Sequence, residues 1–137
     1  MQKWIISAVV CVMLAGCTPH FESDLSSLER SFQDQQSAVA RNNGTAFIRS
    51  LEKMPGLMKR TMRAVDQMPV ADQMAAAQRF AAVGDEGEKL YYSSEFRRFM
   101  DVELQSSGEA ARVKAVFSDL KALDLNGWMA SKRASPE

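Results

Sequence analysis

The sequence predicts an all-α protein, a small bundle of four to six short amphipathic helices. Three observations carry that expectation. The strong helix formers Ala, Gln, Met, Leu, Glu, Lys and Arg are common, Val, Ile and Thr are sparse, and no stretch alternates apolar and polar residues with period two. Apolar residues recur instead in steps of four and three, the spacing of one face of a helix. Between these stripes lie the residues that end helices, Asn, Gly and Pro.

The first stripe, over 22–41, is Phe21, Leu25, Leu28, Phe32 and Val39, with Gln35 at the one position where an apolar residue is missing. It is too short to define a coiled coil. Asn42, Asn43 and Gly44 end it, because Asn and Gly accept left-handed backbone angles. The second segment starts near Thr45 and carries Phe47, Leu51, Met54, Met58, Met62 and Val65. Pro55 interrupts it: proline has no amide donor, and its ring would clash with the carbonyl of Leu51 at a cost of about 3 kcal/mol in a helix interior. The stripe keeps its phase across the proline, so two short helices, or one bent helix, face the same core. The third helix starts at Pro69, a good first helical residue. Val70, Met74, Ala77 and Ala81 mark its face, with Phe80 and Val83 beside it. Gly84 to Gly87 reads as a turn, with Asp85 and Glu88 spaced as a capping box. The fourth helix runs over 86–105 with Leu90, Tyr92, Phe96, Phe99, Met100 and Leu104 inward and Glu103 interrupting. After a loop around Gly108, Val113, Val116, Phe117, Leu120 and Leu123 form the last stripe, which ends near Leu125, Asn126 and Gly127.

The N-terminus reads differently. Lys3 and the terminal amine precede twelve residues, 4–15, that are apolar except for Ser7. That is short of the roughly 20 residues a membrane-spanning helix needs, and it fits the charged and apolar regions of a secretory signal peptide. Leu14, Ala15, Gly16 and Cys17 follow directly. These four residues resemble the lipobox of bacterial lipoproteins, Leu-Ala/Ser-Gly/Ala-Cys, at the place where a lipobox belongs. The resemblance implies a diacylglyceryl group on Cys17, cleavage between Gly16 and Cys17, and acylation of the new amine. Two or three fatty chains, at about 0.8 kcal/mol per buried methylene, make a stable anchor where one chain would not. Thr18 stands where inner-membrane lipoproteins of enterobacteria often carry Asp, which implies the outer membrane, with the periplasmic face as default. The chain then divides into a signal peptide (1–16), a lipidated cysteine and short tether (17–20), a helical domain (21–130) and a polar, frayed C-terminal tail (131–137). Three residues, Thr18, Pro19 and His20, reach only about 10 Å when extended, which holds the domain against the membrane.

The chain has two cysteines. On this reading Cys11 is removed and Cys17 is acylated, so no disulfide supports the mature fold. About 120 residues remain, enough for one domain with its own core. Lys and Arg total 17, as do Asp and Glu, so net charge points to no acidic or basic partner, and an envelope location excludes nucleic acid.

Catalytic chemistry finds little support. His20 is the only histidine, and it reads as a solvated tether residue. No carboxylate cluster has metal-ligand spacing, Gly-x-Ser-x-Gly is absent, and a serine nucleophile would lack a histidine base. The expectation is no enzyme, no metal and no cofactor. Two stretches are candidate partner surfaces. Met54, Met58 and Met62 would make a soft groove for an apolar helix; core packing is the simpler reading. Tyr91, Arg97 and Arg98 lie in a segment of aromatic and arginine residues, types enriched at interfaces, although helical phase turns Tyr92, Phe96 and Phe99 toward a core. Lys59, Arg60 and Arg63 read either as contacts to lipid head groups or as a solvated face.

The leading expectation is a non-catalytic lipoprotein whose helical domain binds another cell-envelope protein. In anchor, size and helix content it is similar to pilotins and to accessory or exclusion lipoproteins of secretion and conjugation systems. It departs from the helical pilotins of type II secretion in having no disulfide. The rival expectations are a self-associating structural or stress-related envelope lipoprotein and a periplasmic inhibitor or immunity protein.

Overall fold

The structure, a computed structural model, describes residues 20–134. The expected signal segment, the residues Leu14 to Cys17 and the last three residues of the expected tail lie outside the described residues. Among the described residues every regular element is helical. The helices are α1 (Phe21–Ala40), α2 (Gly44–Glu52), α3 (Met54–Asp66), α4 (Val70–Glu88), α5 (Ser94–Phe99), α6 (Ala110–Ala122) and α7 (Leu125–Ala134). A 3-10 turn (Lys89–Tyr92) precedes α5 and a π turn (Met100–Leu104) follows it. The small all-α bundle of short helices is as expected.

Helix α1 is the axis of the fold and packs against α2, α3, α4 and α5. Its stripe is buried as read, with Phe21, Leu25, Leu28, Gln35 and Val39 inside and Phe32 half-buried. Its end is a Schellman motif. Asn42 takes a positive φ of 54°, the Asn42 amide donates to the Val39 carbonyl at 3.1 Å, and the Asn43 amide donates to the Ala38 carbonyl at 2.8 Å. Asn43 then caps α2, its side chain accepting from the Ala46 amide at 3.1 Å. One Asn-Asn pair thus closes one helix and opens the next, which folds α2 back along α1.

Lys53 alone separates α2 from α3, and Pro55 lies in the first turn of α3, where its missing donor costs nothing. Phe47, Leu51, Met54, Met58 and Val65 are all buried, so both helices present one continuous stripe. Phe47 sits at the centre. Its ring meets Phe99 edge-on at 5.2 Å and Phe96 at 5.6 Å.

Several expectations are corrected in the second half. Pro69 precedes α4 as its cap residue, and Val70 is exposed; the buried face of α4 is Ala76, Ala77, Phe80 and Gly87. Gly84 to Gly87 is no turn, and Asp85 caps nothing, because α4 continues to Glu88. Glycine inside a helix costs up to about 1 kcal/mol relative to Ala. At Gly87 the reason for it is steric: a Cβ there would collide with the Phe32 ring of α1. The expected helix over 86–105 is broken instead by the 3-10 turn. Ser93 then takes an extended conformation and caps α5, accepting from the Phe96 amide at 3.1 Å. The turn shifts the helical phase by one residue. Tyr91 therefore points inward, and Tyr92, expected in the core, is 80% exposed.

Gly108 ends the π turn segment in a second Schellman arrangement, with a φ of 75° and the Glu109 amide donating to the Leu104 carbonyl at 3.0 Å. The last break falls at Asp124, which has a positive φ of 51° and accepts from the Gly127 amide at 3.3 Å. A further helix, α7, follows and runs past Ser131 to Ala134. Helix α7 docks through Trp128, whose indole stands edge-on to Phe80 at 5.6 Å.

Candidate functional site

The residues singled out in the sequence do not converge on one site. Met54 and Met58 are buried and Met62 is half-buried, so the methionine stripe is core, not an open groove. Tyr91 is also turned inward. Its ring packs against Phe32, Phe96 and Phe117, and its hydroxyl donates to Gln35 Oε1. Burial pushes its phenol above the ordinary value of 10.0, and the negative charge of Glu88 pushes it the same way. Arg97 and Arg98 are exposed on the last turn of α5 and share no surface with the three methionines. Cys17 and the three residues before it lie outside the described residues.

A concave surface lies elsewhere. A groove of about 720 Å³ runs between α1, α2 and the start of α3. A buried polar clasp forms its base. Ser31 and Ser50 face each other at the α1–α2 crossing with hydroxyl oxygens 2.9 Å apart. Ser50 Oγ donates to the Ser31 carbonyl at 3.0 Å, and Gln35 Nε2 donates to Ser31 Oγ at 3.3 Å. Serine side chains are small enough to let the two backbones approach, and no buried side-chain polar atom among the described residues lacks a partner. Gln35, the polar residue in an otherwise apolar stripe, is thereby explained: it links the clasp to Tyr91.

The walls of the groove are cationic. Arg30 comes from α1, Arg41 from its C-cap, Arg49 from α2, Lys53 from the break between helices and Arg60 from α3. Asp34 and Glu52 are the two acids among them. Glu52 is already engaged by Arg112 of α6 at 2.7 Å, and Arg60 approaches Asp24 at 3.7 Å. Arg30, Arg41, Arg49 and Lys53 form no ion pair among the described residues, and all four are exposed. The opposite flank of α1 has the reverse character. A second cleft there, about 670 Å³, carries Glu29, Glu86 and Glu95, with Lys89 neutralising Glu86 at 2.8 Å.

Sequence reasoning found only Arg60 of this cationic set. The others are spread over three elements and become neighbours only through the Asn42–Asn43 reversal. The one signal available was local: Arg30, Asp34 and Arg41 share the outward face of α1 by helical spacing.

No cluster of three or more His, Cys, Asp or Glu side chains among the described residues is arranged to hold a metal ion. No described helix is long and apolar enough to cross a membrane. The chain matches no protein-family model, no curated protein and no solved structure.

Proposed function

We propose that this chain is a lipid-anchored, non-catalytic envelope protein whose helical domain binds another envelope protein at the outer membrane. The observation that carries the reading is the run Leu14-Ala15-Gly16-Cys17 directly after a short apolar segment with a positive start. The body agrees with it in two respects. Helix α1 begins at Phe21, so an anchor on Cys17 would be joined to the domain by three residues. The core closes on helix packing and hydrogen bonds, as a mature chain with no disulfide requires.

A groove with unpaired cations and a satisfied base favours recognition over chemistry. It offers charged donors on its rim and no nucleophile–base pair within it.

The anchor is tested by metabolic labelling with a radioactive fatty acid in a bacterial host. The wild-type chain incorporates label and is processed, and Cys17→Ser abolishes both. Fatty-acid incorporation that survives Cys17→Ser refutes the anchor. The binding role is tested by chemical crosslinking in intact cells followed by purification from detergent-solubilised membranes. A discrete heteromeric adduct with an envelope protein is expected; adducts of the chain with itself alone would favour the self-associating structural reading.

A further inference from the structure

We propose that the cationic groove between α1, α2 and α3 is a docking site for an acidic, linear polypeptide segment of the partner protein. The proposal rests on the protein-binding reading above and names the chemistry of what is bound.

Three observations support it. First, the charge is segregated. Lys and Arg balance Asp and Glu in the chain as a whole, yet five cationic side chains and two acidic ones line this groove, and one of those acids is held by Arg112. The excess is therefore local, and a basic composition does not account for it. The acidic cleft on the other flank of α1 is its counterpart. Second, four of the five cations are uncommitted among the described residues, Arg60 alone approaching an acid, Asp24, at 3.7 Å. Arginine presents a planar fork of donors suited to carboxylates, and Arg30, Arg41 and Arg49 have no carboxylate partner among the described residues.

Third, the shape selects a chain over a surface. Arg30 lies on α1 and Arg41 is the residue that caps its end, eleven positions on, about 16 Å at 1.5 Å per residue. An extended peptide covers that distance in about five residues at roughly 3.3 Å each, with alternate side chains on one side. The groove is concave, with its base set back between two helices, so a flat layer of lipid head groups would meet only the rim. The base itself makes no demand on a ligand. Ser31 and Ser50 satisfy each other, and Ala38, Ala46 and Leu57 add apolar lining. Recognition thus falls to the charged walls. It is tolerant of sequence, weakened by salt, and suited to steering a partner into place.

The experiment uses the full chain purified in neutral detergent and a fluorescein-labelled oligoglutamate probe of about ten residues, read by fluorescence anisotropy, with an oligolysine probe as control. The wild-type chain is expected to bind oligoglutamate and not oligolysine, with affinity falling steeply between about 50 and 300 mM salt as the Debye length shrinks. The double variant R30E/R49E is expected to weaken binding by about tenfold or more. R97E/R98E makes the same change of charge on α5, outside the groove, and is expected to stay within about twofold of wild type. Both pairs are exposed, and circular dichroism melts check that each variant folds; R41Q/K53Q, a milder change at the same groove, is expected to weaken binding in the same direction. Absence of oligoglutamate binding by the wild type, or equal weakening in the two glutamate variants, overturns the proposal. So does stronger binding to phosphatidylglycerol vesicles than to the peptide when that binding is lost in R30E/R49E, because it assigns the groove to a lipid surface. The crosslinked partner separates this proposal from the reading beneath it. A partner captured equally by wild type and R30E/R49E leaves the protein-binding function standing and removes the groove from it.

Discussion

Helices α1 and α2 are joined by means opposite to those that join α7 to α3 and α4. The first seam is sealed: Leu28, Phe47 and Leu51 are fully buried, and its polar groups are uncharged and inside, hydrogen-bonded hydroxyl to hydroxyl. The second is held from outside. Leu125, Trp128 and Met129 are only half-buried, and the polar contacts are charged: Asp66 of α3 accepts from the Trp128 indole at 3.0 Å and pairs with Lys132, which also donates to Gln73 of α4 at 3.1 Å. A sealed seam opens only when the protein unfolds, since its satisfied polar groups have no alternative partner. A seam made of half-buried rings and a partly exposed ion pair can open alone. The groove lies over the sealed seam, so its walls are held at a constant spacing while the C-terminal helix is free to fray.

The largest effect is expected from breaking the sealed seam. Phe47→Ala removes a fully buried ring that contacts Phe96 and Phe99, and should destabilise the whole domain by about 3–5 kcal/mol. Urea denaturation followed by circular dichroism measures it. The loss should be global, with one cooperative transition at lower midpoint; a variant within 1 kcal/mol of wild type would contradict this placing of the core.

Trp128→Ala should cost less, about 2 kcal/mol, because the indole is half-buried and its lost contacts are local. The sharper readout is hydrogen exchange. Amides of α7 should exchange much faster in the variant, while those of α1 and α2 change only slightly. If α1 loses protection to the same extent, the two seams are one cooperative unit and the comparison fails.

The two seams were unequally legible in the sequence, and for physical reasons. Phe21, Leu25, Leu28, Gln35 and Val39 lie on an unbroken helix, so their spacing alone assigns them a face. Asn42 and Pro55 announce their breaks because the left-handed turn and the missing amide are properties of the residue itself. The second half follows rules that local pattern does not carry. Gly87 resembles a helix breaker but is demanded by the Phe32 ring, which comes from another helix. The 3-10 turn at Lys89–Tyr92 exchanges the roles of Tyr91 and Tyr92, an inversion that follows from a single-residue change of phase. Asp124 makes the break close to Asn126 and Gly127, which mark a helix end in the sequence but lie inside the helix that follows. The groove was hidden for the same reason as Gly87: Arg30, Arg49 and Arg60 belong to three helices.

A smaller effect concerns Tyr91, which ties the sealed seam to the second half through Gln35. Its folded-state pKa is raised by burial above the ordinary 10.0. Above pH 10 the unfolded chain loses this proton while the folded chain keeps it. The unfolded state then binds fewer protons, and stability must fall as pH rises. Tyr91→Phe removes the titrating group at the cost of one hydrogen bond, about 1 kcal/mol at neutral pH. The variant should start less stable than wild type at pH 7 and lose less stability between pH 9 and 11. Parallel pH profiles for the two proteins would show that the phenol is not buried as described.

The smallest effect tests an exposed link between α1 and α4. Arg79 holds Glu22 through both guanidinium nitrogens, with Nη2 donating to Oε2 at 2.9 Å, and lies 5.4 Å from the centre of the Phe21 ring. The hydrogen bond from Arg79 lowers the Glu22 pKa below its ordinary 4.5. For a carboxylate depressed in this way the stabilisation is present above pH 4.5 and disappears as pH falls through the folded value. Both side chains are more than half exposed, so solvent screening limits the pair to about 0.5 kcal/mol. Glu22→Gln should therefore cost about that much at pH 7 in low salt, and progressively less toward pH 3 or in 1 M salt. Arg79→Ala should cost more than Glu22→Gln, because it also removes the cation from the face of Phe21, worth about 0.5–1 kcal/mol when exposed. Phe21 opens α1 at the end nearest the proposed anchor, and equal losses in the two variants would mean that Arg79 stabilises that end through charge alone.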